Sequence, residues 1–286
     1  MAERKNVLLD FSKTRKIDSS GMLVIVAEID RAQRMGGHGQ RFFCKLPDDA
    51  CEETRIVRQV LDQIDLLDRV NHPPIHEEKS HFHSSVKNWR YATGTRVNEE
   101  PGDVLEKHEG RIAPALMQKM QIGLMEAITN SLHHAYMADR NDECGPFSER
   151  RWWMFTHEAD GLLQVIVCDL GIGISRSLPI VWKKHFLRRF SSLFSGEHPD
   201  VAAINIALLL GESSTKENHR GKGMHQIWNA VHESHVGGVA ISSGKGHVWY
   251  NAKEGRLQQG AFGSEFMGTL ISWQVSIESE AAKTDE

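Results

Sequence analysis

The sequence has no run of apolar residues approaching the ~18 needed to span a membrane. Its first residues, MAERKNVLLDFSK, carry no long apolar stretch of the kind a signal peptide uses. The expectation is therefore a soluble protein with no membrane partner. Cysteine is scarce: Cys44, Cys51, Cys144 and Cys168 are scattered without C-x-x-C spacing, which suggests neither a disulfide framework nor a zinc knuckle. A reducing, cytoplasmic compartment fits that usage. Charge of one sign is not in excess, with 34 Lys and Arg against 38 Asp and Glu and a net charge of -4. That balance argues against wholesale coating of nucleic acid but leaves room for a local basic patch. The usual phosphate-binding signatures are missing too. The G-K pairs at Lys222 and Lys245 have no Ser or Thr next and no glycine at the upstream position a Walker A loop requires, and no Rossmann fingerprint is present. At 286 residues of ordinary apolar and charged content, the chain fits one large domain or two modest ones.

What is present centres on IGLMEAITNSLHHAY, Ile122 to Tyr136. The spacing predicts a helix with Glu126, Asn130 and His134 on one face at i, i+4 and i+8. On the opposite side Leu124, Ala127, Ile128, Ser131, Leu132 and Ala135 form a stripe suited to packing on a sheet. The carboxylate can take a proton from an attacking hydroxyl, and the carboxamide oxygen one turn on is a hard ligand suited to Mg²⁺. An exposed Glu and Asn on a surface helix would look the same.

Three further stretches follow in order. RRWWMFTHEADGLLQVIVCDLGIGIS predicts two strands around an Asp160-Gly161 turn, the second ending on Asp169 ahead of Gly171, Gly173 and Ile174. A carboxylate at a strand end can accept the exocyclic amine of adenine, while the glycines admit close backbone approach. The alternative is a turn that merely needs glycine. HRGKGMHQIWNAVHESH sets Gly221 and Gly223 before a helix starting near Met224, an anion site to which Arg220 and Lys222 add charge. Finally, Gly268-Thr269 enters an apolar strand, where the Thr269 hydroxyl could donate to an adenine nitrogen or a bridging water.

This succession, E-x-x-x-N, D-x-G-x-G, G-x-G and G-T, resembles the GHKL ATPases, the Bergerat-fold group containing gyrase, MutL, the sensor histidine kinases and the anti-sigma serine kinases. The resemblance covers Arg111 to Ile277 and implies an α/β-sandwich that binds ATP with Mg²⁺. It implies that Glu126 is the general base or water-orienting residue and that Asn130 holds Mg²⁺. Asp169 and Gly173 would meet adenine, Gly221 and Gly223 the phosphates, and Thr269 would close the adenine site, with Gly171, Ile174 and Met224 alongside. His134 sits where the anti-sigma kinases also tend to have His; packing at the helix end explains it equally. Residues 175–220 correspond to the ATP lid of that family. Within it, Ser213, Ser214, Thr215 and Lys216 are candidates to touch the γ-phosphate, and Trp182, Phe186, Phe190 and Phe194 recur every four residues among Lys183, Lys184, Arg188 and Arg189. That pattern predicts a basic amphipathic helix, either a lid helix packed on the core or a dock for protein or nucleic acid.

The N-terminal stretch predicts a strand over 6–11, a helix capped by Asp18 or Ser19 and stopped by Gly36-Gly37, a strand in RFFCKLP, and a second helix over 48–70 with Ile56, Val60, Ile64 and Leu67 inward. This β-α-β-α order implies a parallel strand pair. NVLLDFSKTRKIDSSGMLVIVAEIDRA is similar to the core of STAS domains, the fold of anti-sigma-factor antagonists, without their leading hairpin. The resemblance implies Ser20, with Ser19 beside it, as phosphoacceptor; plain helix capping is the alternative reading.

The expected layout is thus an STAS-like unit over 1–70, a connector over 71–110 with a short strand near Trp89 to Tyr91, a nucleotide-binding domain over 111–277 and a disordered tail over 278–286. In the connector, His81 and His83 could hold zinc only with a third ligand, and a solvated loop explains them as well. Two functions are compatible with this layout. One is a serine protein kinase of the anti-sigma type acting on or through an STAS-like module, whose partner is an STAS-like or sigma-factor-like regulator. The other is an ATP-driven switch in which lid order and a homodimer clamp, MutL- or gyrase-like, gate a partner.

Overall fold

The computed structural model describes residues 6–35, 41–75, 78–97, 112–140, 142, 149–182, 187–188, 192–213, 223–232 and 237–277. The chain is mixed α/β and divides into two compact units, residues 1–91 with 155–160 and residues 92–154 with 161–286.

In the first unit, strands β1 (Val7–Asp10) and β2 (Phe42–Lys45) pair in parallel, Val7 opposite Phe42 and Asp10 opposite Lys45. Helix α1 (Ser19–Met35) makes the crossover between them. Asp18 caps it, its Oδ1 accepting the amide of Gly21 at 2.8 Å, which satisfies one of the helix's orphan donors. The expected second helix breaks in two: α2 (Glu52–Gln63) and α3 (Leu66–Arg69) flank Asp65, which has φ 56°. Asp is among the few residues that tolerate the left-handed region, so an acidic residue ends a periodic run that shows no Gly or Pro. Val57, Val60, Ile64 and Leu67 are buried, whereas Ile56 is only half-buried, so Val57 takes the inward place assigned to Ile56. The buried Asp30 carboxylate holds α1 against α3 by pairing with Arg34 at 2.9 Å and Arg69 at 3.5 Å. A short helix α4 (Ser84–Lys87) follows, begun by His83, whose Nδ1 accepts the Ser85 amide at 3.3 Å. Among the described residues no cluster of three or more His, Cys, Asp or Glu is placed to hold a metal ion.

A five-stranded sheet has the order β3-β4-β5-β7-β6, with β3 (Arg90–Gly94), β4 (Trp152–Ala159), β5 (Leu162–Asp169), β6 (Gly238–Asn251) and β7 (Arg256–Ser276), and its strands β5, β6 and β7 lie wholly in the second unit. Strands β5 and β6 each run antiparallel to β7. Strands β4 and β5 form the hairpin expected around Asp160 and Gly161, both at positive φ, as the tight turn that matches strand twist requires. Alternation decides the buried face: Leu163, Val165 and Val167 of β5, Ile271, Trp273 and Val275 of β7, and Val239 and Ile241 of β6 join one core.

Helices α5 (Pro114–Asn130), α6 (Ile174–Val181), α7 (Pro199–Ser213) and α8 (Gly223–His232) complete the unit. Helix α5 starts with proline in its first turn, where a missing amide costs nothing. It buries Leu116, Met117, Met120, Leu124, Ala127 and Ile128 at helical spacing. Gly123 lets α8 approach closely: a Cβ there would sit 3.5 Å from Ala230 and from the Ile227 backbone. Trp273 Nε1 then ties α8 to the sheet by donating to the Ile227 carbonyl at 2.9 Å. Helix α7 is anchored by Asp200, whose Oδ2 accepts the Lys245 amide at 2.8 Å where β6 is irregular. No described helix is long and apolar enough to cross a membrane.

Of the expected lid helix, Lys183, Lys184, Phe186, Arg189 and Phe190 lie outside the described residues, as do Gly36-Gly37, Cys144 and the tail over 278–286.

Candidate functional site

The last turn of α5 widens. From Ser131 to Ala135 the backbone winds as a π turn, a feature that often accompanies functional sites. Two hydroxyls bond back to carbonyls one turn earlier, Thr129 to Met125 at 2.8 Å and Ser131 to Ala127 at 3.0 Å. Such back-bonding loosens the regular ladder. The widened turn turns the Ala135 carbonyl to the loop after β5, where it accepts the Ile172 amide at 2.8 Å.

This junction forms the floor of a cavity of about 710 Å³. From α5 and its π turn, Glu126, Asn130 and His134 line it, together with His133. From the other motifs come Asp169, Gly173, Ile174, Gly223, Met224 and Thr269. All six residues of the stripe expected on the far side of the helix, from Leu124 to Ala135, are buried, but Ala127, Ser131 and Ala135 line the cavity rather than facing away from it. Gly171 is the exception among the described candidates. It does not line the cavity; a Cβ there would lie 2.2 Å from the Ala135 carbonyl oxygen, so its role is to let two backbones touch. Ser214, Thr215, Lys216, Arg220, Gly221 and Lys222 lie outside the described residues.

At the deep end, Asp169 is buried at 3% exposure. Its Oδ1 accepts two amides, Gly171 at 2.9 Å and Thr269 at 3.2 Å. Thr269 faces Asp169 directly across β5 and β7, so strand register sets this bond. Among the described residues its Oδ2 accepts one hydrogen bond, from the Ser131 hydroxyl at 3.3 Å. Burial pushes the carboxyl up to about 7, outweighing the amide bonds, the Ser131 hydroxyl bond and the positive charge of Arg140, all of which favour the ionised form. Gly268 makes the approach possible. It has φ +113°, and a Cβ would stand 2.1 Å from the Asp169 carbonyl oxygen. Gly173, also at positive φ, abuts Ser243, whose hydroxyl donates to the Gly268 carbonyl at 2.9 Å and accepts the Ile174 amide at 2.8 Å.

At the other end, Glu126 and Asn130 meet the first residue of α8. A Cβ on Gly223 would fall 2.6 Å from Glu126 Oε2 and 2.9 Å from Asn130 Nδ2. The positive end of α8 therefore lies against the carboxylate-carboxamide pair, a setting that favours anions. Burial raises the Glu126 carboxyl above its ordinary value. Burial, followed by the neighbouring His133, lowers His134. Asn130 Nδ2 and His134 Nδ1 are buried and make no hydrogen bond among the described residues, an arrangement that disfavours an apolar occupant.

Several supporting residues carry no local sequence signal. Tyr136 donates to the Arg151 carbonyl and accepts the Leu170 amide at 3.3 Å, and burial together with Asp169 raises its phenol well above the ordinary value. Arg140 donates to the Leu170 carbonyl at 3.3 Å. Ser243 is separated from Ile174 by 69 positions. Ser131 and Tyr136 stood on the helix expected from Ile122 to Tyr136, where the pattern marked Ser131 for packing and gave Tyr136 no role.

What the cavity offers is therefore a buried carboxyl for hydrogen bonding at one end, and at the other a carboxylate and a carboxamide against a helix N-terminus. No family model, no curated protein and no solved structure matches the chain.

Proposed function

We propose that the second unit binds a magnesium-nucleoside triphosphate, ATP, and that the chain is a regulatory serine kinase of the anti-sigma type acting on or through its own STAS-like N-terminal unit. One observation carries the reading: four motifs spread from Glu126 to Thr269 line a single cavity of about 710 Å³, large enough for a nucleotide. The donor set fits a hydrated metal-phosphate group. Asn130 offers a hard oxygen and an unpartnered amide, and Gly223 opens the α8 N-terminus toward it. Asn130 would hold Mg²⁺, which supplies charge neutralisation on the transferring phosphoryl group.

The residues of the chain divide the remaining work. Asp169, from its buried strand end, orients the base. Glu126, with its carboxyl raised by burial, is a better proton acceptor for an attacking hydroxyl than an ordinary exposed carboxylate. In the first unit Ser19 is buried at 5% exposure while Ser20 is half-buried, so Ser20 is the better phosphoacceptor.

The test is mass spectrometry of the full chain after incubation with Mg²⁺ and γ-labelled ATP, with released phosphate measured in parallel. Label on Ser20, lost in both Ser20→Ala and Glu126→Ala, is the expected result. Phosphate release without protein label, lost in Glu126→Ala, would replace the kinase with an ATP-driven switch. Absence of nucleotide binding would overturn both.

A further inference from the structure

Strand β6 has 14 residues and would span about 45 Å if it were straight. Its ends meet instead. The Ala252 amide donates to the Gly237 carbonyl at 2.9 Å, and Ser242 Oγ lies 3.1 Å from His247 Nδ1. The strand therefore folds back on itself, about Gly244 at φ +62°. Strand β7 follows that fold on the outside: it pairs with the second half of β6 from Arg256 to Ala261 and with the first half from Thr269 to Gln274. Residues 262–265 arch past the bend.

On its other side β7 pairs with β5 only from Thr269 to Ser276. Among the described residues, no strand lies beside the outer edge of residues 256–261, and every residue from Lys253 to Glu265 is exposed. Native sheets usually blunt such edges with charge, proline or a covering element, because unpaired amides and carbonyls template another strand. Residues 257–264, LQQGAFGS, have neither charge nor proline, and Leu257 and Phe262 are 52% and 48% exposed. The edge is also held in place. Gln259 donates to Glu197 Oε1 at 2.8 Å and accepts from Asn205 at 2.9 Å, and Asn205 donates to Glu197 Oε2 at 3.1 Å, which ties the strand to α7. A strand ordered in advance loses little further freedom on pairing.

Charge names the occupant. Strand β7 carries only two charged residues, Arg256 at the start of the edge and Glu265 at the end of the arch. Antiparallel pairing of two such edges about a two-fold axis brings the Arg256 end of each copy to the arch of the other, so opposite charges meet twice.

We propose that residues 256–265 form a self-complementary docking edge, through which a second copy of this chain adds to the sheet with Arg256 of one copy against Glu265 of the other. Neither residue lines the cavity, so the pairing stands apart from the nucleotide reading.

The experiment is size-exclusion chromatography with light scattering on the full chain over a wide concentration range. A wild-type dimer that dissociates on dilution is expected, since one strand edge buries less than a standard interface. Arg256→Glu and Glu265→Arg should each weaken self-association by roughly tenfold, because like charges then face each other twice. Both positions are exposed, and circular dichroism separates lost pairing from lost fold. An equimolar mixture of the two variants should regain the wild-type dimer, since each copy then offers the charge the other lacks. A wild-type chain that stays monomeric at every concentration would overturn the proposal, as would a dimer that neither substitution weakens. Variants that fail to pair with each other when mixed would equally remove the contact between Arg256 and Glu265, and the assigned edge with it.

Discussion

Asp18 in the first unit and Asp169 in the second are both aspartates accepting backbone amides, yet they do opposite kinds of work. Asp18 bonds the amide three residues ahead and caps the start of a helix at an exposed position. Its partner is fixed by chain connectivity, and the bond would form in almost any fold that kept the helix. Asp169 bonds an amide 100 residues away, shares a hydroxyl with a helix 38 residues away, and is buried at 3% exposure. Its partners exist only once β5, β7 and α5 have docked. Asp18 finishes secondary structure locally, whereas Asp169 is held by tertiary contacts at a cost in desolvation. A pocket for a polar ligand requires the second kind, because its groups must stay incompletely paired until the ligand arrives.

That contrast can be broken most sharply with glycine-to-alanine substitutions made in three places. Gly268→Ala must hold φ +113° and press a methyl against the Asp169 backbone, so we expect a loss on the order of 4 kcal/mol, or failure to fold, read as the denaturant midpoint. If Gly268→Ala is tolerated, the close approach of β7 to Asp169 is not required.

The next largest effect is pH-dependent. The Asp169 carboxyl is raised from 3.8 to about 7 in the folded chain. The unfolded chain therefore loses its proton first as pH rises, and stability from this group falls between those two values. It is fully present below pH 3.8 and spent above about pH 7. Asp169→Asn does not titrate, so its stability relative to wild type should improve by about 2 kcal/mol on going from pH 5 to pH 8. Thermal melts at the two pH values measure this; a constant difference would show that Asp169 is ionised throughout.

Gly223→Ala places its methyl against the ends of the Glu126 and Asn130 side chains, which can swing aside. We expect it to cost under about 1 kcal/mol of stability. It should nevertheless reduce phosphoryl transfer or phosphate release strongly, because the displaced pair faces the α8 N-terminus. Equal activity in this variant would separate Glu126 and Asn130 from the chemistry.

The smallest effect has the opposite sign. Gly21→Ala lies inside α1, where a Cβ would be 3.6 Å from Asp18 Oδ1, an ordinary contact. It should stabilise the chain by about 0.5–1 kcal/mol, since alanine loses less freedom in a helix than glycine does. A loss instead would mean that the first unit, too, relies on close backbone approach.

The sequence by itself determined the local elements. Periodicity and punctuation located β1, α1, β2, the β4-β5 hairpin, the helix carrying Glu126 and Asn130, and the start of α8, since these depend on interactions within a few residues. It also supplied the acid, amide and glycine types from which the cavity is built. Local patterns left the break at Asp65 hidden, because a left-handed aspartate looks like any helical one in sequence. Nor did they mark the π turn, whose widened backbone is tied to the loop after β5.

Only the tertiary structure decided what those residues do together. Strand register brought Thr269 to Asp169, and helix docking brought Gly223 to Glu126. Backbone contact turned Gly171 from a ligand candidate into a packing residue, and the same docking gave Ser131, Tyr136 and Arg140 their places around one buried acid. The physical reason is range: hydrogen bonding and burial at such sites depend on atoms tens to a hundred positions apart, and no periodicity along the chain encodes those distances.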